Sequence, residues 1–322
     1  MLPRALHRRR LRAKPQQVIE PRSAHEAWHL RDGHLIGDID LLGGFASSGE
    51  LIAFRDAAEV WIDIGMNGAS TSPPGEDFSR VGRDVAYIGF EPLLDKYAVS
   101  VGAFVHRNNP VAVGTVLPSA AAARTARSVI LPMAVADLNN EPTELNVAQM
   151  DGCSSLNALK PASALHGWDQ NGVANQVRNR CTKVVETRRV PTVTLHTVLT
   201  TWLAGREVHF MHIDVQGREL NVLRSARGSI RQLRRFTLEV PSPKCAVLTV
   251  GGPTCGQVFR EVSALGFEAE DVVRYRFNVT EALGRRLPRG FGCEAIPFGP
   301  KYAGPFDSLC EVDVLFVRKD VR

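Results

Sequence analysis

The stretch that decides the fold is EVWIDIGMNG, residues 59–68. Val60–Ile64 is a compact apolar run of the kind found in buried parallel strands. Gly65 follows it at once, and a glycine there lets the backbone bend tightly and approach a ligand without a Cβ in the way. Asn67 and Gly68 extend this permissive turn. The stretch therefore predicts a core strand whose carboxyl end cradles a ligand.

Two acids indicate the class of ligand. Asp63 stands two residues before Gly65, and Glu91 follows a second apolar run, Val85–Phe90. A dinucleotide pyrophosphate gains nothing from a nearby carboxylate, whereas the amino group and sulfonium of S-adenosylmethionine are cationic and favour one. Glu91 is placed to accept hydrogen bonds from both ribose hydroxyls, as acids do in other Rossmann sheets. The pattern predicts S-adenosyl-L-methionine as the cofactor.

The rest of the chain alternates short apolar runs with helical patterns, which is typical of a parallel sheet. Further strands are predicted at residues 128–135, 183–190, 208–214, 235–240, 267–276 and 310–318, and helices at 194–203, 218–226 and 256–265. We therefore predict an α/β fold of Rossmann-like type. Its mostly parallel seven-stranded sheet has helices on both faces and an antiparallel last strand. A single domain is expected over residues 46–322, with long pocket-shaping loops at 150–182 and 277–308.

Positive charge is concentrated at the start of the chain. The net charge is +5 over 322 residues, and residues 1–22 contain seven basic residues and one acid. Because such short runs are commonly solvated, residues 1–45 are predicted to be a basic, flexible extension. No aromatic-and-basic pattern supports specific nucleic-acid binding, and no apolar run approaches the roughly 18 residues of a transmembrane segment. Cytoplasmic localisation is the default expectation, with organelle targeting or a secretory lumen as alternatives.

The six cysteines show no Cys-x-x-Cys pair and no histidine at zinc-finger spacing, so structural zinc is not expected. The lack of a signal segment favours free thiols. The even number of cysteines and the sequon at residues 278–280 leave open a disulfide-bonded protein of a secretory lumen. The histidines at 196, 209 and 212 with Glu239 fit no standard metal spacing either, so no metal site is predicted.

Several separate segments resemble one family, the FkbM-type methyltransferases, which are Rossmann-like class I enzymes that typically O-methylate hydroxyls of sugars and natural products. The segments are Trp61–Asn67, Gly89–Pro92, Met133–Asp137, Cys153–Leu156 and Met211–Leu220. The last is similar to the family's Lys-Ile-Asp-Val-Glu-Gly-x-Glu-Leu signature. The resemblance covers about residues 58–240. It implies that Ala134 and Asp137 lie near the adenine ring and that Ser155 belongs to the cofactor site.

The chain departs from the family pattern at three informative positions. His212 replaces the usual Lys, Gln216 replaces the usual Glu, and His196 replaces the usual Asp. These departures leave the predicted cofactor residues intact and concern the acceptor and proton transfer.

Asp214 and His212 are the candidate catalytic residues. They lie two apart on one predicted strand and so face the same side, where a carboxylate could orient a histidine that works near neutral pH. The alternative reading makes His212 a hydrogen-bonded core histidine and Asp214 a helix N-cap.

The resulting hypothesis is a methyltransferase that uses S-adenosylmethionine to methylate a hydroxyl of a sugar, glycan or small metabolite. A degenerate methyltransferase-like module that only binds a ligand is the first alternative. A nicotinamide-dependent oxidoreductase is a weaker one, because Asp63 and the incomplete glycine motif both disfavour it.

Overall fold

The structure of the chain is a computed structural model. It describes residues 46, 48–68, 71–81, 84–106, 127–137, 139, 142–167, 178–274, 277–278, 287–296 and 310–320. The predicted basic extension, residues 1–45, lies outside the described residues. So do most of residues 277–308 and part of 150–182, the two predicted pocket-shaping loops.

Twelve strands are found in the described residues, eight of them in one sheet of order β11-β10-β12-β9-β8-β1-β2-β3. The strands are β1 Glu59–Ile64, β2 Val85–Phe90, β3 Ser128–Leu131, β4 Ala134–Val135, β5 Thr143–Ala148, β6 Val184–Val190, β7 Thr192–Val193, β8 Phe210–Ile213, β9 Arg235–Pro241, β10 Phe267–Arg274, β11 Phe277–Asn278 and β12 Glu311–Arg318. The five strands from β9 to β3 run parallel, and β12 is antiparallel to both β9 and β10.

The predicted α/β fold with a mostly parallel sheet is confirmed, and three details of the prediction are corrected. The described sheet has eight strands rather than seven, because the two-residue β11 pairs with β10. The single strand predicted at 128–135 is split, since Pro132 has no amide donor and the chain then leaves the sheet to pair β4 with β7. The strand predicted at 183–190 pairs with the unpredicted β5, outside the large sheet.

The helices connect these strands. They are α1 Leu94–His106, α2 Leu195–Thr197, α3 Glu219–Ser225 and α4 Cys255–Ala264, with a π-helical turn at Val198–Trp202 directly after α2. Short 3-10 turns occupy Ile52–Phe54, Phe78–Arg80, Asp151–Cys153, Ala162–Ala164, Arg227–Gln232 and Cys293–Ala295. Thr254 begins α4 with a complete capping box to Gln257. Among the described residues, none of the helices is long and apolar enough to span a membrane.

The large sheet separates two unlike sets of buried side chains. Val60, Ile62 and Ile64 of β1 belong to the main apolar core, which also contains Trp202. Trp61 alternates with them and packs in a smaller cluster on the other side. Asp63 has the same parity as Trp61, so the polar residues of the strand lie on the side of the smaller cluster.

The structure pairs all six cysteines, which corrects the expectation of free thiols. The disulfides are Cys153–Cys181, Cys245–Cys310 and Cys255–Cys293. The first two belong to one buried cluster beneath the loops at the carboxyl edge of the sheet. Cross-links of this kind stabilise a fold largely by restricting the unfolded chain. They therefore tie the loop segments around 153 and 245 to the ordered strands nearby.

Candidate functional site

The site is built around two adjacent turns at the carboxyl ends of β1 and β8. The two strands are in register, with Ile64 opposite Ile213. Gly65 has a φ of +87°, and a Cβ built on it would lie 1.8 Å from the carbonyl oxygen of Asp214. Only glycine fits this position, because the first turn passes directly against the second. The close approach predicted for Gly65 is thus made against the protein's own backbone.

The two turns border a cavity with about 640 Å³ of empty space, part of it continuous with solvent. We call it the cofactor pocket. Six of the predicted site residues line it: Gly65, Asn67, Glu91, Ala134, Ser155 and Asp214. Four others are not in its lining: Asp63, Gly68, Asp137 and His212.

Glu91 projects its carboxylate at the end of β2. Its side chain is 3% exposed, and its oxygens accept the backbone N–H groups of Asn67 at 2.6 Å and Leu93 at 2.9 Å. Burial raises the pKa of Glu91 to about 7, although these two N–H donors oppose the shift. Each carboxylate oxygen has a further lone pair, so Glu91 keeps acceptor capacity toward the cofactor pocket.

Asp63 is engaged inside the protein. It is fully buried, and its Oδ2 accepts the Tyr87 hydroxyl at 2.8 Å and the Thr71 backbone N–H at 2.7 Å. Its Oδ1 lies 2.9 Å from Nδ1 of His212, which is directly opposite on β8. These partners place Asp63 behind the turn. It holds Thr71 and His212 in position rather than facing the cofactor pocket.

His212 carries the positive charge of this network. Burial acts to lower the pKa of His212, but the nearby Asp63 carboxylate outweighs it and, with Asp313 and Asp214, raises the pKa to about 9. The imidazole is therefore a cation at neutral pH. A protonated histidine cannot accept a proton, so the contact with Asp63 favours the alternative of a hydrogen-bonded core histidine over proton transfer by His212. A buried cation is nevertheless retained where the family pattern has Lys.

Asp214 faces the cofactor pocket, and the side-chain amide of Gln216 connects it to Glu239. The sequence did not predict this contact. The Nε2 group of Gln216 donates to Oδ1 of Asp214 at 2.6 Å and to Oε2 of Glu239 at 2.9 Å. Burial raises the pKa of Asp214, and the His212 cation partly opposes this. Gln216 thus joins the carboxyl group of Asp214, which directly follows β8, to that of Glu239 on the neighbouring β9, at the border of the cofactor pocket.

Side chains from other segments fix the second turn. Gln216 and Gly217 have φ angles of +52° and +95°. Ser155 is 1% exposed and donates its hydroxyl to the carbonyl oxygen of Gln216 at 2.7 Å, and Asn157 donates to the carbonyl oxygen of Gly217 at 3.0 Å. Glu219 accepts the backbone N–H of Gly217 at 2.9 Å. The left-handed conformation is held from both sides, so Ser155 shapes the pocket through its contact with Gln216.

The remaining predicted residues lie at the margin. Ala134 is an apolar wall residue of the pocket. Asp137 is exposed and forms an ion pair with Arg218 at 2.7 Å, and Arg218 itself lines the pocket. Gly68 packs against α1, where its missing Cβ leaves room for Val99. His196 is in α2, away from the pocket lining, with its Nδ1 3.4 Å from Ser229.

Several functional candidates were missed by sequence reasoning. Tyr87 and Arg218 each contact a predicted acid, and Glu311 joins Glu239 through an antiparallel strand pair. A tyrosine inside the apolar run 85–90 was a usable signal, because a buried phenol needs a hydrogen-bond partner. Glu311 gave no such signal in the sequence, because it comes close to Glu239 only through the order of the strands in the folded sheet. In the described part of the chain, no group of three or more acids, histidines or cysteines is arranged to hold a metal ion.

These observations define an α/β protein with a ligand pocket at the carboxyl edge of a mostly parallel sheet. The chain matches the model of the methyltransferase FkbM domain over residues 63–277 and belongs to that family. The resemblance predicted from the motifs is confirmed. No curated protein matches the chain. A solved structure titled "StiE O-MT residues 961-1257" aligns over 92% of this chain and 82% of its own, at 10% identity and a TM-score of 0.32, which is too low to support an argument.

Proposed function

We propose that the chain is an S-adenosylmethionine-dependent methyltransferase that methylates a hydroxyl group of a sugar, glycan or small metabolite. The observation that carries the proposal is the juxtaposition of the Gly65 turn, the Glu91 carboxylate and Asp214 around one pocket. Membership of the FkbM family supports the methyl-transfer chemistry. We further propose that residues 46–322 form one domain of class I methyltransferase type.

The residues present fit this cofactor. Glu91 offers acceptor atoms suited to the two ribose hydroxyls. Apolar walls that suit an adenine ring are contributed by Ala134, Leu145 and Leu156. Asp151, which pairs with Lys96 at 2.6 Å, also lines the pocket and supplies a carboxylate for the amino group of the cofactor. In this proposal, Asp63 contributes by holding the turn and His212 by holding Asp63.

Asp214 is the proposed proton acceptor. When bound, the cofactor supplies a methyl group on a sulfonium, and the electron pair of the broken carbon–sulfur bond stays with sulfur. The acceptor oxygen gains the methyl group and must lose its proton. A buried carboxylate with a raised pKa is a stronger base than an exposed one, and Asp214 lies in the pocket lining. The Nε2 group of Gln216 orients this carboxylate.

Ligand binding and methyl release test the proposal in two steps. We expect the full chain to bind S-adenosylhomocysteine in calorimetry and to be stabilised by it in thermal unfolding, whereas NAD should do neither. Binding of NAD in preference would contradict the proposal and favour the oxidoreductase. We then expect labelled methyl transfer to hydroxylated acceptors, lost in Asp214→Asn. Cofactor binding without methyl transfer to any acceptor would instead indicate a binding module.

A further inference from the structure

Gln216 lies at the border between the cofactor pocket and a second, smaller cleft. This cleft is lined by Glu219, Glu239 and Glu311, and we call it the acidic cleft. The side-chain amide of Gln216 has two N–H donors, and both are used: one for Asp214 at 2.6 Å and one for Glu239 at 2.9 Å. The direction of this side chain therefore determines how the Asp214 carboxylate is held.

The backbone that carries this amide is in an unfavourable conformation. Gln216 has a φ of +52°, in the left-handed region that residues with a Cβ rarely adopt, and Gly217 follows with a φ of +95°. Such a conformation persists only where the surrounding structure holds it. Contacts from outside the turn are therefore needed to keep the Gln216 amide in place.

Residues 155–157, which we call the strap, supply two of these contacts. The hydroxyl of Ser155 donates to the carbonyl oxygen of Gln216 at 2.7 Å. The Nδ2 group of Asn157 donates to the carbonyl oxygen of Gly217 at 3.0 Å. Each of the two left-handed residues thus has its own hydrogen-bond donor from the strap.

The strap itself is fixed by β5. Asn146 of β5 and Ser155 exchange two backbone hydrogen bonds, at 2.9 and 3.1 Å. The Nδ2 group of Asn146 donates to the carbonyl oxygen of Asn157 at 3.0 Å, and the backbone N–H of Asn157 donates to Oγ of Ser155 at 3.0 Å. Asn157 therefore connects a strand outside the large sheet to the turn that carries Gln216.

We propose that Asn157 is a positioning residue for Asp214, the proton acceptor of the proposed function. Asn157 acts through Gly217: its amide holds the left-handed turn, and the turn holds the Gln216 amide against Asp214. The catalytic consequence rests on the proposed methyltransferase function, whereas the effect of Asn157 on the Asp214 carboxylate does not.

The titration of Asp214 reports on this chain of contacts. Burial raises the pKa of Asp214, and the His212 cation and the Gln216 amide oppose this because both stabilise the ionised form. Loss of the Gln216 contact should therefore raise the pKa further. The charged groups that face Asp214 stay the same in an Asn157 variant, and they are His212, Asp63, Glu219, Glu239 and Glu311.

The test follows two NMR signals of the full chain, the carboxyl carbon of Asp214 and the side-chain amide of Gln216. They are assigned by their loss in Asp214→Asn and Gln216→Ala. Asn157→Ala removes the donor, and Asn157→Leu removes it at nearly constant size. In both variants we expect the pKa of Asp214 to rise and the Gln216 amide hydrogens to exchange with solvent at least about tenfold faster.

Two controls separate this effect from a general loss of stability. Asn221→Ala removes an amide that donates to the exposed Asp137 at 3.4 Å, so it should change neither signal. The backbone amides of β8 should keep their protection in the Asn157 variants, because the sheet remains folded.

Methyl transfer gives a third measurement, on any hydroxylated acceptor that the intact chain methylates. Asn157→Ala should lower kcat about tenfold and change the KM for S-adenosylmethionine less than about twofold. The rising limb of its pH–rate profile should move to higher pH, because Asp214 must be ionised to take the proton.

An unchanged pKa of Asp214 in the Asn157 variants would overturn the proposal. Amide exchange that accelerates equally at Gln216 and throughout β8 would also overturn it, since Asn157 would then serve general stability. S-adenosylhomocysteine binding is measured in parallel. Its absence would remove the proposed function, while the two NMR signals would still decide whether Asn157 positions Asp214.

Discussion

The cofactor pocket and the acidic cleft share Gln216 but are built on different principles. The pocket combines two backbone features, the Gly65 turn and the N–H groups that hold Glu91, with apolar side-chain walls. The cleft is formed by side chains from strands that meet only in the folded sheet, namely Glu239 on β9 and Glu311 on β12. Backbone constraints leave local motifs in a sequence, whereas the second kind of site leaves almost none.

The largest effect is expected at Gly65. Gly65→Ala would place a Cβ 1.8 Å from the Asp214 carbonyl oxygen at a φ of +87°, so the turns must separate. We expect loss of S-adenosylhomocysteine binding and destabilisation of more than about 4 kcal/mol in urea unfolding. Gly75→Ala is the matched control, because Gly75 has a φ of +77° but open space around it. It should cost only about 1–2 kcal/mol. Similar costs for the two variants would refute the backbone contact.

The Asp63–His212 pair should have the next largest effect, on stability and its pH dependence. The folded pKa of His212, about 9, lies above its ordinary value of 6.5. The folded chain therefore keeps a proton that the unfolded chain loses, so the stabilisation is complete below pH 6.5 and disappears as the pH rises through 9. Asp63→Asn should cost about 3 kcal/mol at pH 6 and much less at pH 10.

Chemical unfolding across this pH range measures the effect. Asp137→Asn is the control, because it removes an exposed ion pair with Arg218. Its cost should stay below about 1 kcal/mol and change little with pH. A pH-independent cost for Asp63→Asn would show that His212 is not the cation of the folded state.

Glu91 should control how the affinity of the cofactor pocket depends on pH. With a pKa of about 7, Glu91 is half-protonated near neutrality. The ionised form is the better acceptor for ribose hydroxyls, so affinity for S-adenosylhomocysteine should increase from pH 6 to pH 8. Glu91→Gln should weaken binding by about 10- to 100-fold and flatten this pH profile. Calorimetry at several pH values measures this affinity. The same affinity and the same pH profile in Glu91→Gln as in the unaltered chain would show that Glu91 does not belong to the cofactor site.

Gln216→Glu should produce the smallest effect and tests the border between the two cavities. It restores the family residue but places a third carboxyl group between Asp214 and Glu239, where an amide now donates to both. We expect a cost of about 1–2 kcal/mol that increases from pH 5 to pH 8 as the carboxyl groups ionise. Gln149→Glu, at an exposed position, should be neutral. A stabilising Gln216→Glu would show that the cleft already contains a compensating cation.

The distinction between local motifs and contacts that form only in the folded sheet also explains how much of the fold and of the site the sequence could predict. Val60–Ile64 and Val85–Phe90 were found because continuous apolar runs are characteristic of a central parallel strand. β5 was missed, since Thr143–Ala148 mixes polar and apolar residues in a half-buried strand whose partner β6 is distant in the sequence. Asp63 was recognised as important, yet its partners were not predicted, because Tyr87 is brought to it by the pairing of β1 with β2 and Thr71 by the path of the chain after the turn. No local pattern connects Glu239 with Glu311, because their meeting depends on the reversed direction of β12.

Two of the disulfides cross-link segments that form the walls of the two cavities. Cys153 stands between Gly152 and Ser154 of the cofactor pocket, and Cys245–Cys310 joins the segment before Val247 of the acidic cleft to Glu311. The β1, β2 and β8 strands contain no cysteine. The central strands therefore carry no cross-link of their own, and both bridges join segments that form the cavity walls. Loss of either bridge would act first on the shape of a cavity and only indirectly on the sheet.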